Sequence, residues 1–346
     1  MEFPEVVSFD ASDDEDAAAA ALADRVADLG VAEPFVVSSR YGEILAGKLR
    51  GRHPDGSFPR VLDQGWADEL GSQAHGAGAD AVVAIGGGRI LDIGKLAAAR
   101  AGVALIAVPT QLSHDGICSP VAVVPGEEGR SESLGAIAPR LVFLSMPTLV
   151  RAPMTSANAG IGDLIANMFA LRDWALAAEH GLDEIDQRAW DLSAQSFSEI
   201  ESYLNDPPER PDVELAARLG GALVTSGTAM IVSGTSRPAS GAEHEISHAI
   251  DHELGGRALH GAQVAFGCLF SAVLYEEDTA ALARSLQRLG LPTAAEDLGL
   301  SDEEMVDLLL AAPATRPGRF TILEDADLDR ASATELVRRV RAVAGR

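Results

Sequence analysis

The chain has 346 residues, more than one compact core usually accommodates, so two domains are the first expectation. Its 47% hydrophobic content, 34 glycines and 17 prolines exclude a disordered chain and describe an ordinary α/β or α-rich protein. A net charge of −25 argues against nucleic acid or an anionic membrane as a partner, so any phosphate-bearing ligand must be held by local donors against the global field.

The acidic, alanine-rich start MEFPEVVSFDASDDEDAAAAALADRV reads as a capped first helix rather than an export signal. No apolar run approaches the ~18 residues that a membrane helix needs, so a cytoplasmic protein without membrane insertion is expected. Cys118 and Cys268 are the only cysteines, too few for a disulfide framework or a thiolate metal site. Short apolar runs rich in Val and Ile then predict buried parallel strands at 35–39, 81–87, 103–110 and 140–145. Helical stretches such as 89–102 separate the first three, which implies βαβ units and a Rossmann-like parallel sheet over residues 1–150. After Pro147-Thr148 the patterns are helical, at Asn158–His180, Asp183–Asn205, Val213–Ser233, His260–Tyr275 and Asp302–Leu310. An all-helical domain over 151–346 is therefore expected.

The run AVVAIGGGRILDIGKLAAAR passes from strand through three glycines into a helix. Gly86, Gly87 and Gly88 remove side chains where backbone N–H groups at a helix N-terminus can face a pyrophosphate. The loop is neither a Walker A sequence nor the usual G-x-G-x-x-G. Asp92 and Lys95, three residues apart, read either as an exposed salt pair or as groups that fix the loop beside a cofactor. The following strand ends in PTQLSHDGICSP, at the carboxyl end of the sheet where ligands of open α/β folds bind. Thr110, Ser113 and Ser119 suit hydrogen bonds to a nicotinamide carboxamide or ribose, and Asp115 suits a substrate hydroxyl. Cys118 reads as a small apolar packing residue.

In SRPASGAEHEISHAIDHELGGRALH, four of the chain's eight histidines lie close together. Ser240 and Glu243 form an S-x-x-E pattern that predicts a capping box and a helix from Gly241 to about Glu253. His244, His248 and His252 are spaced four apart on it and share a face. His260 opens a further helix after the Gly255-Gly256 break, so imidazoles from two elements can converge. Asp163 lies among small residues in GIGD, near a helix start. With His244 and His260 it makes an Asp-His-His set, the arrangement of an open catalytic metal site. Such ligands suit Zn²⁺, with Fe²⁺ or Ni²⁺ also acceptable.

The motifs GGG-x-x-x-D-x-x-K, PT-x-x-SHDG-x-x-SP, GIGD, SRPASG-x-EH-x-x-SH and HG-x-x-V occur in this order, with TRPGRFTILE at 315–324. Over residues 80–325 the chain resembles the sn-glycerol-1-phosphate dehydrogenases, metal-containing NAD(P)-dependent enzymes of ether-lipid backbone synthesis. Their superfamily includes glycerol dehydrogenases, iron-containing alcohol dehydrogenases and 3-dehydroquinate synthases, and it implies a dehydroquinate synthase-like fold. The resemblance implies metal ligands at Asp163, His244 and His260. It implies a cofactor lined by Gly88, Arg89, Ile90, Leu91 and Asp92, by Thr110, Gln111, Leu112 and Ser113, and by Ser119. Asp115, Asp163 and His248 would contact the substrate. Arg89 and Cys118 depart from the commoner residues at their positions.

The implied chemistry is reversible reduction of dihydroxyacetone phosphate at C2, with NAD(P)H and one divalent ion, and with His248, Asp115 and Asp163 as the catalytic residues. Arg237, with the Ser236 and Ser240 hydroxyls, is the nominated phosphate receptor. The segment VVSSRYG has no acid to hold an adenosine 2′-hydroxyl, which leaves NADPH open alongside NADH. A homo-oligomer is expected. The alternatives are a polyol dehydrogenase, a synthase on the same scaffold, or a nucleotide-binding protein without catalysis.

Overall fold

The computed structural model describes residues 3–10, 14–55, 59, 61–126 and 131–345. In chain order the first elements are β1 (Glu5–Phe9), α1 (Glu15–Asp28), β2 (Pro34–Ser38), α2 (Glu43–Ala46), α3 (Gln64–Gly76), β3 (Ala81–Gly86), α4 (Gly88–Ala101), β4 (Ala104–Pro109), β5 (Val121–Pro125), β6 (Ser131–Gly135) and β7 (Leu141–Ser145). The helices α5 (Met146–Leu149), α6 (Met154–Glu179), α7 (Gln187–Ser198), α8 (Val213–Ser233), α9 (Ala242–Leu254) and α10 (His260–Leu274) follow. The chain closes with α11 (Thr279–Arg288), α12 (Asp302–Ala311), α13 (Ile322–Ala326) and α14 (Arg330–Val343).

Five parallel strands form one sheet in the order β1-β7-β4-β3-β2. β2, β3, β4 and β7 are apolar almost throughout because both faces are covered, whereas β1 at the edge alternates half-buried and exposed residues. Val36, Val83, Ile85, Ile106, Val108 and Phe143 face one core with Leu22 of α1 and Leu45 of α2. Alternate residues, including Val37, Val82, Ala84, Ala107 and Leu144, face the core shared with α3, α4 and the later helices. The expected α/β class and Rossmann-like sheet are present, and every element after β7 among the described residues is helical.

Several local expectations differ. β1 and the antiparallel hairpin β5–β6 were not foreseen: β1 is an edge strand beside β7, and the hairpin is only half-buried. The stretch Asp183–Asn205 is α-helical over Gln187–Ser198, where Asp186 accepts from Ala189 N and caps the helix start, and ends in a 3-10 turn at Glu201–Leu204. Asp14 caps α1 by accepting from Ala17 N, whereas Ala11, Ser12 and Asp13 of the acidic start lie outside the described residues. α8 is long and apolar enough to cross a membrane by length and composition, contrary to the reading of the apolar runs. Its apolar window is 67% buried inside the fold, where Leu215, Leu219 and Leu223 join the core.

Candidate metal and cofactor site

α6 and α10 approach closely because glycines line their contact. A Cβ on Gly261 would collide with the Ala159 carbonyl of α6, and one on Gly162 would stand 2.6 Å from the Gly261 carbonyl. Gly267 does the same for α9, since its Cβ would lie 2.6 Å from the Glu243 carbonyl. These contacts set Asp163 of α6, His244 of α9 and His260 of α10 around one point, with their ligand atoms all within 4.8 Å of one another. Asp163 Oδ1 stands 3.9 Å from His244 Nε2 and 3.8 Å from His260 Nε2, gaps that ligand bonds of about 2 Å can bridge.

The electrostatics of this cluster suit a cation. Asp163 is 3% exposed, and its Oδ1 is buried with no hydrogen-bond partner, while Oδ2 accepts from the Asp115 backbone N at 2.9 Å. Burial, then the neighbouring Asp115, raises the Asp163 carboxyl well above the usual range. Burial lowers the His244 and His260 imidazoles to about 3, so both are neutral lone-pair donors. An orphaned buried oxygen facing two neutral imidazoles is the donor set of a divalent metal. The residues therefore fit the implied ion.

The capping box expected at α9 is replaced by a long-range cap. Asp173 of α6 accepts from Ala242 N at 2.7 Å, and a Cβ on Gly241 would collide with that carboxylate. Glu243 Oε1 accepts from Gly241 N at 2.6 Å and stands 2.9 Å from His244 Nδ1, whereas Ser240 Oγ has no partner. With Nδ1–H directed at Glu243, the Nε2 lone pair of His244 faces Asp163. This role of Glu243 was missed from the sequence, although the EH dipeptide was its signal.

His248 lies one turn further along α9, with its ring 6.2 Å from those of His244 and His260. Arg316 Nε donates to His248 Nδ1 at 3.3 Å. A guanidinium nitrogen can only donate, so Nδ1 is unprotonated and the ring proton sits on Nε2. A cleft of about 320 Å³ adjoins His248, between the β5–β6 hairpin, α9 and the Thr315-Arg316 turn. His252 is on its wall and is not part of the metal cluster.

The glycine turn faces the loop after β4. A Cβ on Gly87 would lie 2.8 Å from Gln111 Nε2, and one on Gly88 would strike the His114 ring. Thr110, Ser113 and Ser119 are buried at the carboxyl end of the sheet. Ile90, Leu91 and Leu112 are buried in the core, so their side chains pack rather than face a ligand, and Arg89 is exposed. Asp92 and Lys95 form a buried pair, not a surface one: Lys95 Nζ donates to Asp92 at 3.0 Å and to the Val121 carbonyl at 2.6 Å, tying α4 to the hairpin. Asp115 accepts from Ser226 Oγ at 2.9 Å, and burial raises its carboxyl to about 6. Cys118 is fully buried, and burial pushes its thiol up to about 12, which fits packing rather than reactivity.

Arg237 does not face an open acceptor. Its Nε donates to Asp183 Oδ2 at 2.7 Å and its NH1 to the Phe320 carbonyl at 2.7 Å. Arg316 and Arg319, not Arg237, reach the Ser236 hydroxyl: both donate to Ser236 Oγ, at 3.3 and 2.8 Å.

A family model described as iron-containing alcohol dehydrogenase matches residues 36–153. The chain is 37% identical over 273 residues to a glycerol-1-phosphate dehydrogenase [NAD(P)+] of Hyperthermus butylicus, covering 79% of this chain and 78% of that protein. It is 31% identical over 310 residues to the enzyme of the same name from Aeropyrum pernix, covering 88% and 86%. In fold it is similar to the crystal structure of a probable glycerol dehydrogenase from Sinorhizobium meliloti, with a TM-score of 0.79 over 99% of this chain and 97% of that one at 21% identity. The chain belongs to the family of NAD(P)-dependent glycerol-1-phosphate dehydrogenases.

Proposed function

We propose that this protein catalyses the reversible NAD(P)H-linked reduction of dihydroxyacetone phosphate to sn-glycerol 1-phosphate, for a glycerophospholipid or ether-lipid backbone. The observation that carries the reading is the convergence of Asp163, His244 and His260 next to His248, at the carboxyl end of a parallel sheet with a glycine turn. Asp163, His244 and His260 would hold one divalent ion, Zn²⁺ by donor type with Ni²⁺ or Fe²⁺ also compatible. When bound, the ion supplies Lewis acidity at the substrate oxygen and the nicotinamide supplies the hydride.

The chain's own contribution is orientation and proton handling. α4 begins at Gly87-Gly88 without a side-chain cap, so its free backbone N–H groups and the helix dipole would favour a pyrophosphate there. Gln111, Thr110, Ser113 and Ser119 would line the nicotinamide end. Ser39 and Arg40 follow β2 beside the glycine turn, since Ser39 N donates to the Ile85 carbonyl at 2.9 Å. Arg40 there suits an adenosine 2′-phosphate, so both NADH and NADPH are taken as cofactors. His248 Nε2–H, its other nitrogen held by Arg316, would exchange a proton with the C2 oxygen of the substrate. Asp115, oriented by Ser226, would accept from a substrate hydroxyl.

The test is NAD(P)H oxidation with dihydroxyacetone phosphate, followed by chiral identification of the product. sn-Glycerol 1-phosphate supports the reading. Equal turnover of unphosphorylated dihydroxyacetone would reassign the protein as a polyol dehydrogenase.

A further inference from the structure

A chain with a net charge of −25 gathers three guanidinium groups, those of Arg237, Arg316 and Arg319, around one open pocket of about 360 Å³. They are not equivalent. Arg237 is neutralised by Asp183 at 2.7 Å. Arg316 and Arg319 have no carboxylate within ion-pair distance among the described residues, although both are partly buried. Their hydrogen bonds go to neutral acceptors: Ser236 Oγ for both, the Ser240 carbonyl for Arg319 and His248 Nδ1 for Arg316. Burial, then the neighbouring Arg316 and Arg237, lowers the Arg319 guanidinium to about 10, so it remains charged at neutral pH. Ser240 is 5% exposed, and its hydroxyl has no partner at all.

Glu245, and for Arg319 also Glu243, act on these groups only from beyond ion-pair distance, and two partly buried guanidiniums without a direct counter-ion beside an unsatisfied hydroxyl are costly unless an anion completes them. We propose that Arg316 and Arg319, with the hydroxyls of Ser236 and Ser240, form the receptor for the phosphate of a small phosphomonoester substrate, in place of Arg237. This rests on the reaction proposed above and locates its specificity. Arg316 spans both spaces: it lines the cleft with His248 and the arginine pocket, and it bonds to His248 and Ser236 at once. In dihydroxyacetone phosphate the phosphorus is only a methylene and an ester oxygen from the carbonyl carbon. A phosphate on Arg316 and Arg319 would therefore leave the carbonyl beside His248 and the metal cluster. Planar guanidinium forks suit phosphate oxygens, and a site built to bind a charged group rejects the analogue lacking it.

The experiment compares the metal-loaded protein with its Arg319→Met and Arg319→Lys variants. kcat/KM is read for dihydroxyacetone phosphate and for dihydroxyacetone, and binding of inorganic phosphate is read by calorimetry in the presence of NADP⁺. Arg319→Met should lower kcat/KM for the phosphorylated substrate about 10²- to 10³-fold, while the unphosphorylated one changes less than about threefold. Arg319→Lys should recover part of the loss, and phosphate binding should weaken in parallel. An equal loss on both substrates, or unchanged phosphate binding in Arg319→Met, overturns the proposal, as does loss of discrimination in Arg237→Met but not in Arg319→Met. If the wild type ignores dihydroxyacetone phosphate, the proposed reaction fails. The receptor is then judged by inorganic phosphate alone: binding that disappears in Arg319→Met sustains it, and no binding in the wild type removes it.

Discussion

Glu243 and His244 are neighbours in sequence and partners in space: the carboxylate Oε1 lies 2.9 Å from His244 Nδ1, while the opposite ring nitrogen faces Asp163. A carboxylate behind a metal-ligating imidazole holds its tautomer and raises its basicity. Glu243→Gln should therefore weaken metal affinity about 10- to 100-fold, measured by competition with a chromogenic chelator. An unchanged dissociation constant would reduce Glu243 to a backbone cap for α9.

The three converging side chains and His248 should separate cleanly by metal content. Asp163→Ala, His244→Ala and His260→Ala should each emerge folded but depleted of metal, and chelation of the wild type should abolish turnover and lower its Tm. His248→Ala should keep about one ion per chain and lose about 10²- to 10⁴-fold in kcat, the scale of a general acid–base contribution. Metal analysis of the four purified proteins decides the assignment. A folded, metal-free His248→Ala protein would exchange the roles of His248 and His244.

Gly87→Val places a branched side chain where a Cβ already comes within 2.8 Å of Gln111 Nε2, at the N-cap of α4. Fluorescence titration should show at least about tenfold weaker NADPH binding, because the side chain blocks backbone approach to the pyrophosphate. Metal content should not change. An unaltered NADPH dissociation constant would place the pyrophosphate elsewhere.

A pH dependence of stability follows from Asp173, which is fully buried and accepts from Ala242 N, Ile322 N and Tyr275 Oη. Burial, then the nearby Glu243 charge, raises this carboxyl to about 7 from an ordinary 3.8. The folded state thus holds a proton that the unfolded chain releases. Its contribution is fully present below about pH 4 and is lost as pH rises through about 7. In urea titrations from pH 5 to 8, Asp173→Asn should flatten the fall in unfolding free energy seen for the wild type. A slope identical to that of the wild type would show that Asp173 is ionised in both states.

Much of this protein is decided within short windows of sequence. The runs that form β2, β3, β4 and β7 were legible because a strand buried on both faces must be short and apolar, and α4, α8 and α10 because helical periodicity repeats every turn. The glycine turn before α4 and the spacing of His244 and His248 are equally local. β1 and the β5–β6 hairpin were not legible, since an edge strand and a half-buried ribbon owe their existence to partners elsewhere in the chain. The same reason governs the site. The S-x-x-E pattern pairs Glu243 with Ser240, but Asp173 reaches over from α6 to cap α9, and Glu243 turns its Oε1 to both Gly241 N and His244. Arg237 looked available until Asp183 came beside it, and Arg316 and Arg319, distant in sequence, took up Ser236. Side-chain chemistry can be read one residue at a time, but whether a charge is neutralised depends on which segment folds against it, and only the tertiary structure decides that.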